Sequence, residues 1–87
     1  MAVTNVAASA SSVTVLASNG SRTSAEVMND SGVTLYLLLA NATASATAFT
    51  VLMPSGAFYD VPFGYTGIIK GIWTSADGGY ARVTENP

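Results

Sequence analysis

The feature that most constrains this chain is its punctuation. NGS (19–21), NDSG (29–32), PSG (54–56), GYTG (64–67) and SADG (75–78) recur along the sequence, and short runs rich in β-branched and aromatic residues lie between them. Each motif carries residues suited to turning. Gly reaches positive φ, Pro presets φ, and Asn and Asp side chains bond the backbone two residues on. Many short runs at such spacing predict an all-β fold, a small antiparallel β-sandwich or barrel. Seven strands are read: SVTVLAS (12–18), RTSAEVM (22–28), VTLYLLLA (33–40), TAFTVLM (47–53), AFYDVPF (57–63), IIKGIWT (68–74) and GYARVTE (79–85). NATASA (41–46) is a polar loop.

Alternation within these runs separates their faces. Val33, Leu35, Leu37 and Leu39 share one face of their strand. Thr34, Tyr36, Leu38 and Ala40 share the other, which is hardly polar. A strand apolar on both faces is central in a sandwich or covered by a second subunit. Ile68, Lys70 and Ile72 oppose Ile69, Gly71 and Trp73. The expected core includes Leu35, Leu37, Val51, Ile72 and Trp73. Residues 1–12, MAVTNVAASASS, lack strong alternation. They are either a first strand or an extended arm on a neighbouring subunit, and the arm is the reading taken. The chain then divides into an arm at 1–12 and one β domain at 13–87.

At 87 residues the chain is one domain, and a domain this small buries only about 60 to 65% of its unfolded surface. It has no cysteine and no histidine, so disulfides and thiolate or imidazole metal sites are excluded. Charged residues make up 9% of the chain, against roughly 25% in a typical soluble domain. A surface of Ala, Ser and Thr suits burial against neighbours, so the expectation is self-association as a homotrimer, or a monomer that forms its contacts only on a larger assembly. A net charge of −2 with three basic residues argues against nucleic acid, which needs clustered Lys and Arg. No run approaches the ~20 apolar residues of a membrane helix. MAVTNVAASASS has neither the basic nor the apolar region of a secretory signal, so synthesis and assembly in a cytoplasm are expected.

Catalytic chemistry is hard to find. Ser-His-Asp and Cys-His nucleophiles lack their histidine or thiol. Lys70, the single lysine, has no Ser at a recognisable spacing. Glu26, Asp30, Asp60, Asp77 and Glu85 mostly sit at or beside turns, where carboxylates bond backbone amides. The glycines form no phosphate loop, and Asp77 in SADGG lacks the further carboxylates of a calcium loop. The sequons at Asn19, Asn29 and Asn41 read as turn residues. Arg22 and Arg82 lie in strand patterns, where each is expected to meet Glu26, Asp60 or a partner's carboxylate. The stretch FYDVPFGYTGIIKGIW (58–73) concentrates the aromatics. Phe58, Tyr59 and Trp73 are spaced as strand residues, and aromatics in strands are mostly core or cross-strand partners. Tyr65, between two glycines, is the expected exposed aromatic.

The order of segments SRTSAEVMNDSGVTLYLLL, then ATAFTVLMPSGAFYDVPFGYTGIIKGIWTSADGGYARVTE, resembles small β-rich structural proteins of tailed bacteriophages, of the head-decoration and head-fibre type. Arg22, Asn29-Asp30-Ser31, Leu35-Tyr36, Tyr59 to Pro62, Gly64 to Gly67, Gly71-Ile72-Trp73 and Val83-Thr84-Glu85 carry the likeness. It covers about residues 13 to 85, and the first dozen residues take no part. The resemblance implies a virion component without enzyme activity or cofactor. The expectation is a decoration, or cement, protein on the outside of the head, with the major capsid protein as partner. The expected partner-binding residues are Ala2, Val3, Thr4, Val6, Phe63 and Tyr65. The alternative is a receptor- or carbohydrate-binding module of a head or tail fibre, stacking sugars on Phe63, Tyr65 and Tyr80.

Overall fold

The computed structural model describes residues 2–86; Met1 and Pro87, the outer ends of the expected arm and domain, lie outside the described residues. Eight strands follow in order: β1 (Ala2–Ala7), β2 (Val13–Leu16), β3 (Ser24–Asp30), β4 (Leu35–Leu38), β5 (Val51–Met53), β6 (Phe58–Val61), β7 (Ile69–Trp73) and β8 (Tyr80–Asn86). They build two sheets, β1-β8-β3-β6 and β2-β7-β4-β5. Every pairing is antiparallel. First pairs with last, second with seventh, third with sixth and fourth with fifth. That nested winding is the eight-stranded jelly roll, a sandwich of two packed sheets and not a closed barrel.

The strand beyond the expected seven is β1, and it corrects the reading of an arm. Residues 2–7 pair with β8 of their own chain, from Ala2 opposite Glu85 to Ala7 opposite Tyr80. AVTNVA shows little alternation because β1 is an edge strand whose side chains are mostly exposed. The pairing rests on backbone hydrogen bonds, which leave no mark on side-chain pattern. The domain therefore includes these residues.

The core lies between the sheets. Leu35, Leu37 and Trp73 are buried as expected, together with Val15, Leu16, Val27, Met53, Ile69 and Val83. Val51 packs at its margin. Ile72 is a correction: it lies opposite Tyr36 on the outer face, and β7 turns Ile69, Gly71 and Trp73 inward. Pleating lets only one of the two inside, because Ile72 and Trp73 are neighbours and must point to opposite faces, and the packing of β7 against the other sheet puts Trp73 there. A register shift between Thr14 and Leu16 places both Val15 and Leu16 inside, as a bulge does. Val15 then fills the space above Gly71. A Cβ on Gly71 would lie 2.6 Å from Val15 Cγ2 and 3.2 Å from Leu35 Cδ1. Gly71→Ala is expected to destabilise by about 1 to 3 kcal/mol through overpacking. An unchanged urea midpoint would show that Val15 retreats freely.

Polar side chains close the two ends of this core. At one end Arg22 is buried, and its guanidinium reaches Glu85, Tyr65 O, Gly67 O and Ala17 O. At the other end Asn29 is buried against Trp73. The NDSG motif is thus not wholly a turn: Asn29 and Asp30 finish β3. Likewise the turn expected at 64–67 begins earlier. The Tyr65 N–H donates to Pro62 O at 3.0 Å, and Gly64 has φ +88°. Glycine at the third position with positive φ is the signature of a type II turn. Phe63 therefore occupies the second position, at the tip.

Asp77 ties two loops together. Its carboxylate accepts the Gly79 N–H at 2.9 Å and the Gly32 N–H at 2.7 Å. These bonds, the Gly79 one first, hold its pKa below the ordinary carboxylate value. A depressed pKa contributes stability that is present above the unfolded value of about 3.9 and is lost as pH falls through the folded value. Asp77→Asn should therefore flatten the loss of thermal stability on acidification below about pH 4, relative to the parent. Parallel pH profiles for the two proteins would overturn this.

Candidate functional site

The two outer faces of the sandwich differ in chemistry. On the β2-β7-β4-β5 sheet, the cross-strand register places Ile72, Tyr36 and Leu52 in one row, and Thr14, Lys70 and Leu38 in the next. Phe49 lies against Tyr36, with ring centroids 4.9 Å apart. Leu52 is 48% exposed, and Phe49 is exposed as well. This apolar face is the unexpected part of the surface. Its sequence signal was strand 33–40, apolar on both sides. Phe49 is a correction: alternation along 47–53 sets it on the face of Val51 and Met53, but β5 begins only at Val51, and the chain before it leaves strand geometry around the Ser45–Ala48 bridge and lays Phe49 against Tyr36.

The other outer face carries charge. Its rows are Val3, Thr84, Glu26 and Asp60, then Asn5, Arg82, Met28 and Phe58, then Ala7, Tyr80 and Asp30. Arg82 Nε donates to Asp30 at 2.8 Å, and its guanidinium lies 4.7 Å from the centre of the Tyr80 ring. Arg22 takes Glu85 at 2.7 Å. Both arginines thus meet carboxylates other than the expected Glu26 and Asp60. Those two stand directly opposite each other on β3 and β6. Neither forms an ion pair among the described residues. Lys70, on the far side of the molecule, donates to Thr14 Oγ1 and to no carboxylate.

The residues expected to bind a partner are distributed as follows. Ala2, Thr4 and Val6 take the register positions opposite Glu85, Val83 and Ala81, on the inward side of the sheet. Val6 packs at the margin of the core. Val3 points outward and is 67% exposed. Phe63 is 85% exposed at its turn tip. Tyr65 is a correction: it is partly buried against the core, and its hydroxyl donates to Ile68 O at 2.7 Å. A tyrosine whose hydroxyl finds a backbone acceptor is held down and not displayed. Val3 and Phe63 lie toward the same end of the sandwich, where β1 begins and β6 ends. Tyr80 sits at the opposite end of β8, five residues and roughly 16 Å away along the strand. Phe63, Tyr65 and Tyr80 do not form one stacking surface.

The described residues form no enclosed pocket, and no three His, Cys, Asp or Glu side chains converge. No family model, no curated protein and no solved structure matches the chain. Fold and surface together define a jelly-roll module with one apolar outer sheet face and, at β1, a mostly exposed edge strand without charge or proline.

Proposed function

We propose that the protein is a structural component of a virus particle, a decoration protein that docks on the outside of a major capsid lattice and stabilises the head. The observation that carries this is exposure of apolar side chains at two separate places on one small module. One is the outer face bearing Tyr36, Leu38, Phe49, Leu52 and Ile72; the other is the end bearing Val3 and Phe63. A lattice component needs two such places, one toward the shell and one toward its neighbours. The virion setting comes from the sequence resemblance. Jelly rolls serve in viral capsids, and in lectins and cupins too, so the architecture supports the setting only by analogy.

The shell-facing contact is assigned to β1 and the Phe63 turn. The outer edge of β1 has free backbone groups and no charged or proline residue to blunt it, which suits strand addition by a partner. Val3 on β1 supplies one apolar anchor, and Phe63 supplies another at the same end of the molecule, beyond β6 at the far edge of the sheet. Each copy would span a joint between capsomers, and internal pressure must then break its contacts before the shell opens. A specific contact of ~1,600 Å², repeated over the lattice, adds up to a large reinforcement.

The test is binding to expanded, DNA-free heads of the phage that encodes the chain, with copies per virion counted against the major capsid protein. Binding at one or more copies per capsomer is the expected result. Val3→Asp and Phe63→Ser should each weaken it at least about tenfold, a loss of ~1.4 kcal/mol, with the circular dichroism spectrum unchanged. Absence from virions and from heads overturns the reading. A few copies per virion would move the protein to a fibre or the tail.

A further inference from the structure

We infer that copies of this protein associate head to tail, the apolar face of the β2-β7-β4-β5 sheet of one copy lying on the charged outer face of the next. This deepens the assembly reading above by naming a second copy as the occupant of the apolar face.

Charge pairing carries the inference. The chain has three basic side chains. Arg22 is matched with Glu85, and Arg82 with Asp30. Asp77 is held by backbone amides. Lys70 on one outer face, and Glu26 with Asp60 on the other, are what remain. Facing carboxylates on adjacent strands repel. Among the described residues, the one basic side chain left without a carboxylate lies on the opposite side of the same molecule, so another copy is needed to bring it there.

Register makes the two faces fit. On β7, Lys70 lies one same-face step from Ile72, in the row with Tyr36 and Leu52. On β3 and β6, Glu26 and Asp60 lie one same-face step from Met28 and Phe58. Each step is about 6.8 Å. Seating Lys70 over the two carboxylates therefore sets Ile72 over Met28 and Phe58, both exposed. Aligned sheets pack face to face about 10 Å apart with their side chains interleaved. The two largest extents of the molecule, 32 × 23 Å, limit any one face to roughly 700 Å², a little under the ~800 Å² that each partner gives a standard interface.

The contact uses two different surfaces on opposite sides of the molecule. Such a heterologous contact propagates as an open stack unless its rotation closes a ring. Faces on opposite sides favour the stack over the expected trimer.

The experiment is sedimentation equilibrium of the full chain over a range of concentrations at low and high salt. The expected result is association that continues past the dimer and weakens with salt. Lys70→Glu should weaken it at least tenfold, and so should Glu26→Lys with Asp60→Lys. Combining all three substitutions should restore it. All of these positions are at the surface, and circular dichroism checks that each variant folds. A parent that stays monomeric overturns the inference, even if it binds heads. Association that stops at the dimer and ignores Lys70→Glu, yet fails in Leu52→Lys, overturns it in favour of a symmetric pairing of apolar faces. Failure of the triple variant to recover also overturns it. Stacking without any binding to heads would instead overturn the capsid reading and leave the stack standing.

Discussion

Arg22→Ala is expected to destabilise the protein by about 3 to 5 kcal/mol, the range for breaking a buried ion pair from one side. The Arg22 side chain has no exposed surface, and Glu85 is 17% exposed. Nε donates to Glu85 at 2.7 Å, Nη2 to Ala17 O at 2.6 Å, and Nη1 to Tyr65 O at 3.0 Å and Gly67 O at 3.1 Å. One planar fork thus joins three stretches of chain distant in sequence. Truncation leaves a carboxylate and three carbonyls short of donors at the end of the core. Roughly 4 to 13 kcal/mol is the whole stability of a domain this size, so the loss is a large part of the total. Arg22→Lys should recover little, because a single ammonium cannot span partners on different sides. Urea unfolding measures both. A loss under about 1 kcal/mol would mean that water replaces the guanidinium at no real cost. Because Arg22 holds the backbone at Tyr65 and Gly67, beside the Phe63 turn, the same variant should also weaken the proposed docking on heads.

Asn29→Asp is expected to cost at least about 3 kcal/mol near neutral pH, although it changes one atom. Nδ2 of Asn29 donates toward Val33 O at 2.8 Å, Met53 O at 2.9 Å and Pro54 O at 3.2 Å. Its Oδ1 accepts from the Ser31 hydroxyl at 2.7 Å and from Trp73 Nε1 at 3.3 Å. A carboxylate would present oxygen to three carbonyl oxygens in a fully buried place. Burial and those carbonyls would raise the pKa of the new acid, so the folded state would hold its proton better than the unfolded one. The penalty relative to the parent should therefore be smallest near pH 4 and grow as pH rises, opposite in sign to the Asp77 effect. Thermal midpoints of both proteins from pH 4 to 8 test this. A pH-independent difference would show that the cost is steric and not electrostatic.

Much of the fold was legible in local pattern. Turn residues cut the chain into strands, and alternation named Leu35, Leu37 and Trp73 as core. Such features depend on neighbours in sequence: a turn needs its glycine, and a pleat sends alternate side chains to one side. Tyr36 and Leu38 were also legible as a second apolar face on a central strand. That the face is open to solvent, with Leu52 and Phe49 beside it, was not.

Other assignments depended on pairs distant in the chain. Whether AVTNVA is an arm or an edge strand turns on the open edge of β8, some eighty residues later. Ile72 and Trp73 are both large and apolar, and only the packing of β7 against the other sheet chooses between them. Arg22 could be suspected of a carboxylate partner, but Glu85 and three carbonyls meet it only once the strands are wound. Asn29 read as a turn residue because its own neighbours are polar; its distant partners are Trp73 and the carbonyls of Met53 and Pro54. Local sequence set the strands and their two faces, since turn and pleat geometry are short-range. Tertiary structure decided which face was covered, which edge was left open and which charges went unmatched, because burial and charge pairing depend on residues that folding alone brings together.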